Sequence, residues 1–141
     1  MVSACLLGVR CNHLGRSSPS PAVASLSGRH RLVPICPEVA GGLATPRSAA
    51  EVQADGRVLT EEGHDVTDAY RRGAQAAVQL AQALGAEAAV LKARSPSCGC
   101  HDVYDGTFTR TLVPREGVTA RALREAGLSV RSEEDVSADH G

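Results

Sequence analysis

The residues best suited to chemistry are five cysteines, and two of them, Cys98 and Cys100, lie one residue apart in the stretch RSPSCGCHDVYDG. This stretch is a loop rich in glycine and serine that follows an apolar run, and we expect it to expose its thiols rather than bury them. An exposed thiolate binds a metal or attacks a substrate. The question raised by the sequence is therefore what these sulfur atoms hold or attack.

Length, charge and hydropathy limit the class of protein. The chain has 141 residues, enough for one hydrophobic core, so we expect a single domain over residues 1–141. Its net charge of −1 gives no general reason to expect a nucleic-acid-binding surface. The apolar run in MVSACLLGVRC is too short for a signal peptide, and no run approaches the roughly 18–20 apolar residues of a membrane span. We expect a cytoplasmic protein, in which cysteines serve as metal ligands or reactive thiols before they form disulfides.

The elements that must position the cysteines alternate between short apolar strands and helices. Strands are predicted at 2–7, 31–36, 86–93 and 128–132, and helices at 21–27, 66–84 and 118–127. Asp55 and Gly56 suit the tight turn of a small hairpin, and a polar tail follows the last strand. This alternation predicts an α/β fold, a three-layer, Rossmann-like domain with a mostly parallel central sheet.

Three cysteines have the same relation to this predicted sheet. Cys5, Cys36 and Cys98 each lie at or near the carboxyl end of a strand. In open parallel sheets, ligands bind outside those ends, where the connecting loops cluster. We therefore expect the three thiols to meet at one edge of the sheet.

Three kinds of chemistry fit such a set of thiols. Three thiolates without a matched fourth ligand suit an iron–sulfur cluster with one open iron. A zinc-stabilised binding module without catalysis is an alternative, because His13, His30 and His101 lie near cysteines, although the chain has no C-x-x-C pair. A thiol sulfur carrier is another alternative, in which Cys98 would be a persulfidated nucleophile of low pKa.

Several stretches of the chain resemble one family, the small bacterial desulfidases that remove sulfur from thiouracil. The resemblance covers most of the chain in the right order and lies in VSACLLG (2–8), PICPEVAGGLATPR (34–47), GHDVT (63–67), LKARSPSCG (91–99), VYDGTF (103–108) and GVTARALREAGLSVRSE (117–133).

The resemblance implies a [4Fe–4S] cluster with three cysteine ligands and one iron open to the substrate sulfur. By motif, the implied ligands are Cys5 in SACLLG, Cys36 in CPE and Cys98 in SPSCG. Cys11 matches a position that is often but not always cysteine in the family, and it ranks below these three. Cys100 lies outside the motif and is interpreted as a variable loop residue.

Two further residues are candidates for catalysis. Glu38 follows Cys36 by two residues and is the only carboxylate adjacent to a proposed ligand, so it could exchange protons with the attacking water or the substrate. Ser95 or Ser97 could hydrogen-bond the substrate or the water, and the resemblance favours Ser95. Both serines also suit ordinary turn chemistry, because Ser-Pro pairs are common in turns.

The reaction implied by the family is non-redox desulfuration. A thiocarbonyl sulfur is soft and suits an open iron, which acts as a Lewis acid so that water attacks the carbon. The expected substrate is a small thiolated pyrimidine, such as thiouracil or a related thio-base or thionucleoside; tRNA stays open as an alternative substrate, although the sequence does not indicate it. One departure from the family pattern bears on which substrate is bound. The family commonly has Arg-Tyr-Asp-Gly where this chain has Asn12, His13, Leu14 and Gly15.

Overall fold

The computed structural model of the chain describes residues 1–140 and contains eight short strands and five helices in that range. The strands are Val2–Ser3 (β1), Pro34–Ile35 (β2), Ala50–Val52 (β3), Val58–Thr60 (β4), Ala88–Leu91 (β5), Val103–Tyr104 (β6), Leu112–Val113 (β7) and Ser129–Ser132 (β8). The helices are Pro21–Ala24 (α1), Pro37–Ala40 (α2), Thr67–Leu84 (α3), Val118–Glu125 (α4) and Glu133–His140 (α5). Two 3-10 turns cover Ala4–Leu7 and Ser25–Gly28.

The central sheet has four parallel strands in the order β2-β1-β5-β8. Two antiparallel hairpins, β3-β4 and β6-β7, lie outside it. The predicted α/β fold with a parallel central sheet is therefore confirmed. Because β2, β1 and β5 are neighbours and run in the same direction, their carboxyl ends lie side by side at one edge.

Strand residues alternate between two buried faces of the sheet, as the pleat of a strand requires. Ala89 and Leu91 pack in one core cluster with Ala77 of α3 and Leu123 of α4. The other face buries Val2 and Val90 with Val23 of α1 and Val136 of α5. The sheet is thus covered on both sides, which gives the three layers expected of a parallel sheet.

Helix α2 approaches the long helix α3 closely enough that two glycines are required. A Cβ atom on Gly73 would lie 1.9 Å from the carbonyl oxygen of Pro37, and one on Gly41 would lie 2.0 Å from the carbonyl oxygen of Ala69. Both distances are far below any real contact with a backbone atom. The glycines therefore let α2 rest directly on α3, and this contact fixes the position of the residues around Pro37.

The strands are shorter than the sequence predicted, and four elements were not predicted: α2, β6, β7 and α5. Residues 4–7 form a 3-10 turn rather than the end of a strand, so Cys5 lies in a turn. Neither α2 nor the β6-β7 hairpin was predicted. The predicted polar tail is wrong, because residues 133–140 form α5. Ser132 starts this helix by exchanging hydrogen bonds with Asp135, and Val136 is completely buried.

Within residues 1–140, no helix combines the length and the apolar character that crossing a bilayer would require.

Candidate active site

A cavity of about 540 Å³ opens at the carboxyl ends of β2, β1 and β5. Cys5, Cys36 and Cys98 all line it, and each comes from a different strand end. Cys5 lies in the turn after β1, Cys36 follows β2 directly, and Cys98 lies in the loop after β5. The tertiary structure thus brings together three thiols that are separated by 31 and 62 residues in the sequence.

The thiol of Cys98 is buried, and the expectation of an exposed loop thiol is wrong. Only 4% of the residue is exposed. The loop folds inward because the Ser95 hydroxyl oxygen accepts hydrogen bonds from the amides of Ser97, at 3.1 Å, and Cys98, at 3.0 Å. Burial raises the pKa of the Cys98 thiol to about 12, and a hydrogen bond with the Ser3 side chain opposes this rise. An unmetallated Cys98 is therefore a protonated and weakly nucleophilic thiol at neutral pH.

A fourth thiol, that of Cys11, lines the same cavity. Cys11 is 6% exposed, and burial together with the neighbouring Cys36 raises the pKa of its thiol to about 12. The Cys36 thiol lies 3.6 Å from the Cys11 carbonyl oxygen, to which it donates. Burial also raises the pKa of Cys5 to about 11, against the opposing charge of Lys92. The cavity wall is thus rich in sulfur atoms, and burial disfavours the charged form of three of them, those of Cys5, Cys11 and Cys98.

Glu38 enters the cavity from the first turn of α2 and is held there by an ion pair. The Arg47 Nε atom lies 2.6 Å from Glu38 Oε2, and only about a tenth of each side chain is exposed (9% for Arg47 and 11% for Glu38). Arg47 Nη2 also donates to the Cys11 carbonyl oxygen at 2.8 Å. Tyr70 lines the same cavity, and burial together with the nearby charge of Glu38 raises the pKa of Tyr70 well above its usual range. Glu38 is thus an oriented, buried carboxylate beside the cavity thiols.

Ser95 also lines the cavity. Its oxygen accepts the two loop amides, and no acceptor for its own hydroxyl proton is found within residues 1–140. The hydroxyl therefore has a proton to donate into the cavity. Ser97 does not line the cavity; it is 1% exposed and its hydroxyl pairs with that of Thr119 at 2.8 Å. The structure thus distinguishes two serines that turn chemistry alone does not separate.

All three aromatic residues of the chain, Tyr70, Tyr104 and Phe108, line this one cavity. Phe108 is in the loop of the β6-β7 hairpin and has a left-handed backbone, with φ of 59°. Glu51 Oε1 holds this loop by accepting the amides of Gly106 at 2.9 Å and Phe108 at 3.1 Å. A side chain held in an unfavourable backbone region beside a cavity is typical of a binding loop.

The segment that departs from the family pattern lies partly in the cavity. Asn12 and His13 line it, whereas Leu14 is 57% exposed and does not. The Asn12 side-chain oxygen accepts the amides of Leu14 and Arg16, so Asn12 shapes the loop itself. His13 is therefore the changed residue best placed to contact a ligand.

The set of donor atoms fits a [4Fe–4S] cluster better than a single zinc ion. Within residues 1–140, no three of the cavity cysteines have sulfur atoms that all lie within 4.8 Å of one another. Thiolates around one tetrahedral zinc would be about 3.8 Å apart, given Zn–S bonds of about 2.3 Å. In a cluster each thiolate binds a different iron, which suits the wider separation of Cys5, Cys36 and Cys98.

Fold and cavity define an α/β protein whose thiol-lined centre lies at the carboxyl ends of parallel strands. The chain belongs to the 2-thiouracil desulfurase family, whose pattern it matches over residues 1–135. It is 36% identical over 146 residues to the uncharacterized protein YbbK of Bacillus subtilis (strain 168), covering 97% of each chain. Its structure superimposes with a TM-score of 0.90 and 43% identity on the [4Fe-4S]-dependent thiouracil desulfidase TudS, over 97% of this chain and 91% of the other. The family resemblance inferred from the motifs is confirmed.

Arg47, Tyr70 and Glu51 were not recognised as site residues from the sequence. Arg47 lies within the family stretch at 34–47, but nothing local shows that it pairs with Glu38. Tyr70 lies in α3, where its spacing indicates a core position, and it does belong to a core cluster. The sequence offered one signal for Tyr70: the chain has only three aromatic residues, and all three line the cavity.

Proposed function

We propose that this protein is a [4Fe–4S]-dependent desulfidase that hydrolyses thiouracil or a related small thio-base. The convergence of three thiols and one paired carboxylate in a single cavity carries the proposal, together with membership of the family. The reaction exchanges sulfur for oxygen at one carbon: thiocarbonyl and water give carbonyl and hydrogen sulfide. Atoms balance and no electron is gained or lost, so the reaction needs no external reductant.

Cys5, Cys36 and Cys98 would hold the cluster as thiolates. When bound, the cluster supplies an open iron, a Lewis acid for the soft sulfur of a thiocarbonyl. Cys11 lies in the same wall and is not needed as a ligand in this assignment. The Ser3 side chain, which opposes the rise in the pKa of the Cys98 thiol, would also lower the charge density of that ligand.

Glu38 would act as the base for the attacking water. Its carboxylate faces the cavity and is oriented by its ion pair with Arg47. A carboxylate in a partly dehydrated site accepts a proton from water as the oxygen attacks carbon, and it can then return that proton to the leaving sulfur. Arg47 itself stays charged: burial opposes its charge, but the charge of Glu38 and the hydrogen bond to it together raise the pKa of the guanidinium.

The substrate ring would be held by the loop residues of the cavity. Tyr104 and Phe108 offer aromatic surfaces for a planar pyrimidine, and each stacked base is worth about 1–3 kcal/mol. The hydroxyl of Ser95 would donate a hydrogen bond to the substrate or the water. A cavity of about 540 Å³ lies within the range of small-molecule sites. Free bases and nucleosides are therefore the substrates this cavity suits.

A sulfur carrier acting through Cys98 is less well supported. Such a carrier needs an accessible thiol of depressed pKa. Cys98 has the opposite properties, since it is 4% exposed and burial raises its pKa to about 12.

The proposal is tested by anaerobic reconstitution followed by assay. Wild type is expected to hold four iron and four sulfide per chain and to release sulfide from 2- or 4-thiouracil, and Cys98→Ala to lose both. In ¹⁸O-labelled water the product uracil should gain the label, which tests the hydrolytic step. Zinc without iron, or iron with no turnover of any thio-base, would overturn the assignment.

A further inference from the structure

Three metal-ligating side chains meet outside the active-site cavity. Cys100 and His101 follow the cluster loop, and Asp135 lies in the first turn of α5. Their ligand atoms all lie within 4.8 Å of one another, and His101 Nε2 is 2.7 Å from Asp135 Oδ2. None of the three lines the cavity that holds Cys5, Cys36 and Cys98. The proposed desulfidase chemistry leaves these residues unused.

The positions of two of the three donors are fixed by the fold. Asp135 Oδ2 accepts the amide of Ser132 at 2.8 Å, and the Ser132 hydroxyl accepts the amide of Asp135 at 3.2 Å, so the start of α5 sets the carboxylate. Cys100 packs partly buried against the core cluster beneath the sheet. His101 is 62% exposed in its side chain, which leaves the group open to an ion from solvent.

We propose that Cys100, His101 and Asp135 form a second metal site, which binds a divalent cation of the zinc class. Sulfur, imidazole and carboxylate together are zinc ligands, whereas magnesium and calcium require oxygen donors. Bond lengths of about 2.0–2.3 Å place zinc ligands about 3.3–3.8 Å apart, so only small side-chain rotations are needed. Three protein ligands leave the fourth position for water. The site joins the loop after β5 to the first turn of α5.

Binding of a metal ion would break one hydrogen bond, that between His101 and Asp135. The hydrogen bond between His101 and Asp135 must open so that both atoms face the ion. The second carboxylate oxygen, Oδ1, accepts no hydrogen bond within residues 1–140 and can bind the metal while Oδ2 keeps the amide of Ser132.

Zinc protection of a single cysteine tests the site. The protein is alkylated with iodoacetamide with and without zinc, cleaved after Arg94 and Arg110, and the fragment spectra report Cys98 and Cys100 separately. Saturating zinc is expected to slow alkylation of Cys100 by about tenfold or more, since a bound thiolate reacts only from the free fraction. His101→Ala should abolish this protection, and because the side chain is 62% exposed the change should leave the fold intact.

His64→Ala is the matched control, because His64 is an exposed histidine in the β4–α3 loop. It should keep the zinc protection of Cys100 in full, and Asp135→Asn should weaken it. Unchanged alkylation of Cys100 in millimolar zinc, or equal protection in His101→Ala, would overturn the proposal. The readout is confined to Cys100, so it is independent of whether the cavity cysteines hold iron, and a failure of the desulfidase assignment would be seen separately in the iron analysis.

Discussion

Arg47 links the proposed base to the wall of sulfur atoms. Its guanidinium donates to Glu38, to the Cys11 carbonyl and to the Ala44 carbonyl, so one side chain orients the carboxylate and holds two loops in place. A buried ion pair is weak support for stability, but it is a strong constraint on geometry. The direction of the Glu38 carboxylate is therefore set before any substrate binds.

Replacing Glu38 by glutamine tests its role as a base. Glu38→Gln keeps the shape of the side chain but removes the proton acceptor, so kcat for sulfide release should fall about 100-fold or more. Iron and sulfide content should stay at the wild-type level, because Glu38 is not a proposed ligand. Glu87→Gln, at the opposite end of β5, is the control and should keep wild-type turnover. Loss of iron together with activity would instead make Glu38 a structural residue.

At the scale of elements, the contact between α2 and α3 decides where Cys36 and Glu38 lie. Both residues are within one turn of Pro37, whose carbonyl faces Gly73 across the contact. No side chain fits there, so the separation of the two helices is set by backbone atoms.

Gly73→Ala should therefore disturb the site from a distance. Overpacking against a backbone carbonyl costs about 1–3 kcal/mol, more than the gain of about 1 kcal/mol from alanine in a helix. We expect a lower free energy of unfolding and incomplete cluster loading. Gly28→Ala is the matched control, since nothing lies within 4 Å of a Cβ there and its φ is not positive. Denaturant unfolding and iron analysis measure both effects; equal stability of the two variants would refute the argument.

The β6-β7 hairpin is expected to control substrate affinity rather than chemistry. Glu51→Ala removes the acceptor of the Gly106 and Phe108 amides, which should let the loop move and withdraw Phe108 from the cavity. KM for thiouracil should rise several-fold, with kcat and iron content nearly unchanged. Steady-state kinetics on the reconstituted enzyme separate the two constants. A fall in kcat at constant KM would show that the loop acts on the chemical step instead.

At the scale of the whole molecule, a bound cluster would connect the ends of three strands of the central sheet. A ligand held only by the folded state stabilises it, by about 2.7 kcal/mol when its concentration is a hundred times its dissociation constant. Loading the cluster should therefore raise Tm by roughly 5 °C or more under anaerobic conditions. Calorimetry of loaded and iron-free protein measures this shift. Cys98→Ala should show the same Tm with and without reconstitution, and a shift in that variant would contradict the assignment.

The fold class, the order of the main elements and the family could all be predicted from the amino-acid sequence. These follow from local information: the apolar runs, the helix that ends at the left-handed Gly85, and the motifs around each cysteine. The position of Cys5, Cys36 and Cys98 near strand ends was also local, and the parallel arrangement of strands then predicted where they meet. The short polar helix α5 was missed because its stability comes from a cap and one buried valine, not from a periodic pattern.

Which side chains face one another could not be predicted and is known only from the folded structure. The pairing of Glu38 with Arg47, the burial of Cys98, the presence of Cys11 in the cavity wall and the gathering of all three aromatic residues there depend on contacts between distant segments. The same is true of the meeting of Cys100 with Asp135, which lie 35 positions apart. Local patterns fix the conformation of a segment, but burial and charge pairing depend on what the rest of the chain packs against it.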